Sequence, residues 1–132
     1  MFSGVDNSLT GGGVDRADFI GGGPVVPSGQ SHGQEVQEFF NTSLFVHNAV
    51  ATFGDSGKNI LRGPQLFDTD MALIKSTNLT ERSKIQFRAE FFNAFNNVNF
   101  ATPGNTVGTA TFGKITAALD PRILQLSLKV LF

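Results

Sequence analysis

His32, His47, Asp68 and Asp70 are the side chains from which a metal site or an acid–base pair would be built, and none has the surroundings that either needs. The two histidines stand fifteen positions apart with no nearby cysteine, histidine or carboxylate motif. A metal site or a general base is therefore not expected, and both read as surface or packed histidines. Gly11-Gly12-Gly13 and Gly21-Gly22-Gly23 have the composition of a phosphate cradle, but no Gly-Lys-Ser/Thr signature follows and their spacing does not repeat. They read as loop. The 132 residues include no cysteine, which removes disulfides, thiolate metal ligands and cysteine nucleophiles. Asp68 and Asp70 share one face of an extended chain and could form a catalytic or cation-binding pair; charges on a water-facing wall account for them more simply. With no nucleophile paired to a base, neither enzymatic activity nor a cofactor is expected.

The elements carry more information than the polar residues do. Along the last ten residues, Leu124, Leu126, Leu128, Val130 and Phe132 fall on one face of a strand, with Gln125, Ser127 and Lys129 on the other. Ten residues at about 3.3 Å each, tilted by roughly 45°, rise about 23 Å, close to the roughly 25 Å apolar band of an outer-membrane barrel. Residues 66–75 alternate partially, with Phe67, Thr69, Met71 and Leu73 opposite Asp68, Asp70, Ala72 and Ile74. In residues 83–92, Ile85, Phe87, Ala89 and Phe91 oppose Lys84, Gln86, Arg88 and Glu90. Three strands are therefore expected at 66–75, 83–92 and 122–132. A short polar turn, 76–81, joins the first two, and a long Asn-, Gly- and Thr-rich loop, 93–120, joins the last two, with a short strand possible at 111–116.

A helix competes for the middle segment. Phe87, Phe91, Ala94, Phe95 and Val98 recur at helical spacing, and Ser83-Lys84-Ile85-Gln86 fits a capping box, so an amphipathic helix over 83–97 stands beside the strand. Upstream, residues 1–63 are rich in glycine and carry little periodicity; a helical turn followed by a strand is expected within 35–53.

Composition sets the limits. Ten basic and eleven acidic residues give a net charge of −1, which offers no electrostatic pull toward nucleic acid. The longest apolar run, Met71-Ala72-Leu73-Ile74, has four residues where a membrane-spanning helix needs roughly 20. Fourteen phenylalanines occur with no tryptophan or tyrosine, so any interfacial aromatic girdle must be built of Phe alone. Residues 1–6 have neither the basic start nor the apolar centre of a secretory signal, and the expectation is a tail of something longer.

Several stretches together resemble a known family. These are Gly54-Asp55-Ser56-Gly57-Lys58-Asn59-Ile60-Leu61-Arg62-Gly63-Pro64, Phe67-Asp68-Thr69-Asp70-Met71-Ala72-Leu73-Ile74-Lys75, Leu79-Thr80-Glu81-Arg82 and Gln86-Phe87-Arg88-Ala89-Glu90-Phe91-Phe92-Asn93-Ala94-Phe95-Asn96. With Phe112-Gly113-Lys114-Ile115-Thr116, Asp120-Pro121-Arg122 and residues 123–132, they resemble the carboxy-terminal barrel segment of Oar-like TonB-dependent receptors. The resemblance covers about 40–132 and loosens over the glycine-rich start. It implies a barrel of roughly 22 strands with an amino-terminal plug. This chain lacks the plug, the segment that TonB grips and most of the strands.

The resulting expectation is an all-β chain: antiparallel up-and-down strands from the end of a transmembrane barrel, incomplete alone, with a glycine-rich outer region at 1–63 and closing strands at 64–132. Its function would be that of a fragment of a receptor-like barrel that binds or takes up a substrate, not competent for transport by itself. Leu124, Leu126, Leu128, Val130 and Phe132 match the signal by which such barrels are recognised for assembly, and Phe132 would lie at the periplasmic rim. Asp68, Asp70, Gln86, Arg88, Glu90, Gln125, Ser127 and Lys129 would face the lumen. The expected partners are outer-membrane lipid, the barrel-assembly machinery and the remainder of the barrel with its plug, and the expected place is the bacterial outer membrane, within a longer precursor. The alternative is a soluble β-rich or α+β module that binds through Phe91, Phe92, Phe95 and Phe100.

Overall fold

The computed structural model describes residues 1–132, which divide into two compact units. Met1–Pro64 with Ala101–Ala117 form one, and Gln65–Phe100 with Ala118–Phe132 the other. We call them the loop unit and the sheet unit. The expected outer loop 93–120 is thus shared, its central residues belonging to the loop unit.

In the loop unit, regular structure is sparse. Strand β1 (Asp18–Phe19) pairs antiparallel with β2 (Phe45–Val46), and between them lie helix α1 (His32–Gln37) and a 3-10 turn, Thr42–Leu44. Helix α1 starts where the Ser31 N–H donates to Gln34 Oε1 at 2.9 Å, which satisfies a donor the first turn would otherwise leave open. The helical turn expected within 35–53 thus begins earlier, and its strand is only two residues long. What holds this unit is a small aromatic core. Phe40 is fully buried and meets Phe45 and Phe112 edge-on, with ring centroids 5.7 and 5.3 Å away. Such pairs contribute about 0.5–1.5 kcal/mol each beyond the area they bury. Phe112 reaches this core from a single bridge to Gly104, so residues 111–116 form no strand.

Close backbone packing demands glycine at two places. A Cβ on Gly54 would collide with the Arg16 carbonyl oxygen, and its φ of +72° disfavours any other residue. A Cβ on Gly104 would collide in the same way with the carbonyl oxygen of Thr111. Near the first, Asp15 Oδ2 accepts from the Ser8 N–H at 2.6 Å and from Asn48 Nδ2 at 3.1 Å. Burial works to raise the Asp15 carboxyl, but the hydrogen bonds from Ser8, Asn48 and Asn7 outweigh it and hold the group below its ordinary value.

The sheet unit is a three-stranded antiparallel sheet in the order β3 (Met71–Asn78), β4 (Lys84–Phe92), β5 (Ile123–Leu131). The all-β, antiparallel expectation holds, and the strands close no barrel by themselves. The helical alternative for 83–97 is overturned: residues 84–92 form the central strand, hydrogen-bonded to a neighbour on each side. That double ladder satisfies the backbone of β4 as a helix would and also aligns its side chains with those of both partners.

The first strand is displaced from its expected bounds. It starts at Met71 and not at residue 66, because β4, its partner, ends at Phe92, where Asn93 turns the chain away with a φ of +48°. At its other end it runs on through Ser76, Thr77 and Asn78, which pair with Gln86, Ile85 and Lys84 where the sequence predicts a turn. The turn is made by 79–83, where the Leu79 N–H donates to the Ser83 carbonyl at 2.9 Å. No helix of the chain is long and apolar enough to cross a membrane.

Candidate functional site

The strand register gathers the alternating side chains into rows. On one face, Met71, Phe91 and Leu124 form the first row; Leu73, Ala89 and Leu126 the second; Lys75, Phe87 and Leu128 the third; Thr77, Ile85 and Val130 the fourth. On the other face the rows are Phe92, Ile123; then Ala72, Glu90, Gln125; then Ile74, Arg88, Ser127; then Ser76, Gln86, Lys129; then Asn78, Lys84, Leu131. A one-residue slip of either pairing would mix the two sets, so the alternation and the register specify each other.

The apolar face is not covered by anything in the sheet unit. Every residue of β3 and β5 is exposed, Leu128 at 67% and Leu126 at 61%, and of the three strands only Ala89 is buried. A contiguous apolar surface of this kind is stable against lipid or another protein, not against water. Phe132 follows β5 as a fully exposed side chain. Lys75 is the one charge on this face, in the third row from the loop-bearing end, close enough to the 79–83 turn for its long stem to carry the ammonium toward an interface.

The polar face makes its own contacts. Arg88 pairs with Glu90, Nη1 to Oε1 at 3.4 Å, and Gln86 Nε2 donates across the sheet to Ser76 Oγ at 3.2 Å. Both contacts are solvated and modest in energy, about 0–1 kcal/mol for the ion pair. Gln86, Arg88, Glu90, Gln125, Ser127 and Lys129 all lie on this face. Ile74 and Ala72 on β3 interrupt its polarity, as do Phe92, Ile123 and Leu131 at the strand ends, so the polar character is concentrated in its central rows.

Asp68 and Asp70 lie elsewhere. Both precede β3, and with Asp120, Phe92 and Asn93 they line a cavity of about 480 Å³ beyond the end of the ladder. Three carboxylates give that cavity a negative field, which opposes phosphate- and carboxylate-bearing molecules. Asp70 also serves the local backbone, since its Oδ1 accepts from the Asn93 N–H at 3.1 Å.

Three asparagines whose only sequence signal is loop composition organise this end of the sheet. Asn99, buried, accepts from the Phe67 N–H at 2.9 Å through Oδ1 and donates to the Phe67 carbonyl at 3.0 Å through Nδ2, a two-point clamp on the chain entering β3. Asn93, also buried, donates through Nδ2 to the carbonyls of Asn97 at 2.9 Å and Asp120 at 3.3 Å, joining the exit of β4 to the entry of β5. Asn96 Oδ1 accepts from the Arg122 N–H at 3.1 Å. Asn93 and Asn96 both have positive φ, a conformation that asparagine tolerates better than most residues, and that was the signal available in Phe92-Asn93-Ala94-Phe95-Asn96.

Of the two histidines, His47 Nδ1 lies 3.4 Å from Ser3 Oγ in the loop unit, and His32 opens α1. Neither is gathered with other possible metal ligands.

What the geometry can do is present one face to hydrocarbon and the other to water over a length that suits a bilayer. No curated protein and no solved structure matches the chain. Residues 1–125, nearly the whole length, match the outer membrane beta barrel domain, and the chain belongs to that family.

Proposed function

We propose that this chain is the closing segment of a receptor-like, TonB-dependent barrel of the Oar-like kind, which binds or takes up a substrate at the bacterial outer membrane as part of a longer precursor. The single observation that supports the reading is the register: three alternating strands that place most of their large apolar residues on one face and most of their charged residues on the other. Lipid is the partner of the first face. The barrel-assembly machinery would read Leu124, Leu126, Leu128, Val130 and Phe132, and the rest of the barrel would pair with β3 and β5. The plug and its TonB-gripped segment come from outside these residues, so the chain alone does not pump. No side chain in it is assigned a catalytic role.

Reading the transcript upstream of Met1 tests the fragment reading. A continuous frame encoding a plug and a TonB-contacting segment is expected; a stop codon directly upstream, with translation beginning at Met1, would overturn it. The purified chain tests the membrane part. In water it should aggregate through its exposed face and unpaired edges, and fold only with detergent or lipid. A monomer that unfolds cooperatively in plain buffer would favour a soluble binding module instead.

A further inference from the structure

The loop unit contains a cavity of about 380 Å³, within the range of about 300–1,000 Å³ common to small-molecule sites. Its lining joins the buried rings of Phe39 and Phe40 to Ile60 and Leu61; Arg62 is the only ionised side chain in it, and Met1, which carries the amino group of the 132-residue chain, lines it too. No carboxylate lines the cavity, and Arg62 is exposed and enters no ion pair or hydrogen bond within the chain. Asn59 and Thr102 also line it, and neither side chain is engaged in a hydrogen bond. An unpaired guanidinium presents a planar fork of donors that matches a carboxylate two-pronged, while aromatic and aliphatic walls take up an apolar body. The two uncommitted polar side chains can supply a further donor to the same group. The cavity of the sheet unit, lined by Asp68, Asp70 and Asp120, has the opposite charge character.

We propose that the Arg62 cavity binds a small molecule that carries one carboxylate on an apolar body, such as an aromatic acid or an acylated apolar amino acid. The proposal rests on the loop unit alone and does not depend on the uptake reading.

The test uses the whole 132-residue chain, refolded in a neutral maltoside detergent. N-acetyl-phenylalanine and its uncharged primary amide are titrated by calorimetry against protein and against empty micelles. The acid should bind about fivefold or more tighter than the amide, as expected for a partly solvated ion pair. Arg62→Gln should erase that preference while leaving the amide's affinity unchanged, and Arg62→Lys should keep part of it. Arg122→Gln, outside the unit, should leave it intact. Equal binding of acid and amide by the wild-type chain, no binding of the acid, or a preference that survives Arg62→Gln would overturn the proposal. None of these results alters what the upstream frame says about uptake.

Discussion

Phe40 and Phe87 are the same residue type in opposite surroundings. Phe40 is fully enclosed by its own unit, between Phe45 and Phe112, whereas Phe87 sits exposed in the third of the four rows of the sheet's apolar face. The loop unit has almost no strand and still buries a core; the sheet unit has nearly all the regular structure and buries almost nothing. The contrast lies in where each region puts its apolar side chains. A region that encloses Phe39, Phe40 and Phe45 carries a core of its own, even with Phe2 and Phe53 left outside it, whereas one that displays Leu, Phe, Ile and Val along whole strands is suited to an apolar phase outside the chain.

Disrupting the loop unit should take one core substitution. Phe40→Ala is expected to destabilise it by about 3–5 kcal/mol, read as lost hydrogen-exchange protection around β1 and β2, with the amides of β4 unaffected. Loss of protection in both units together would erase the distinction between them. On the sheet, Leu126→Arg should cost about 2–4 kcal/mol of folding free energy in lipid, while Ser127→Arg, one residue on but facing the other way, should cost less than about 1 kcal/mol. Denaturant titration of the refolded chain in vesicles measures both, and equal penalties would mean that the faces are not distinct.

Smaller effects are expected at the margins of each unit. Gly54→Ala forces a methyl against the Arg16 carbonyl and should destabilise the loop unit by about 1–3 kcal/mol, measured by the same exchange experiment. Asn99→Ala removes both hydrogen bonds to Phe67 and should loosen the entry to β3 by about 1–3 kcal/mol, seen as faster exchange at Phe67 and the first residues of the strand. The weakest effect is acid sensitivity. Because the Asp15 carboxyl is held below its ordinary value in the folded state, its contribution is complete above the unfolded value of about 3.9 and disappears as the pH falls through the lower folded one. Acid should therefore loosen the segment around Ser8 and Asn48 in the wild-type chain, and Asp15→Asn should blunt that dependence in a pH series of amide chemical shifts.

The two faces of the sheet were legible because a strand has a side-chain period of two, and 85, 87, 89, 91 against 124, 126, 128, 130 repeat it without interruption. The ends were not. Where β3 begins depends on where β4 stops, and that depends on Asn93, twenty-two residues beyond Met71. The helical alternative arose from a coincidence of periods: Phe87, Phe91 and Phe95 are four apart, a spacing that lies on one face of either a helix or a strand. Asn93, Asn96 and Asn99 read as loop composition because their partners, at 67, 97, 120 and 122, are mostly far away along the chain. The aromatic core was hidden for the same reason, since Phe40 and Phe112 are brought together by turns that have no periodicity at all.

The outward rims of β3 and β5 have no strand beside them in this chain. Every second amide along each rim points away from the sheet, and within hydrocarbon each such group left dry carries a penalty of several kcal/mol. A bilayer would therefore favour the greasy face and disfavour the two bare rims. A strand docked on each side would satisfy those rims, so the same segment should settle faster and deeper in lipid when a neighbouring strand is supplied than when it folds by itself.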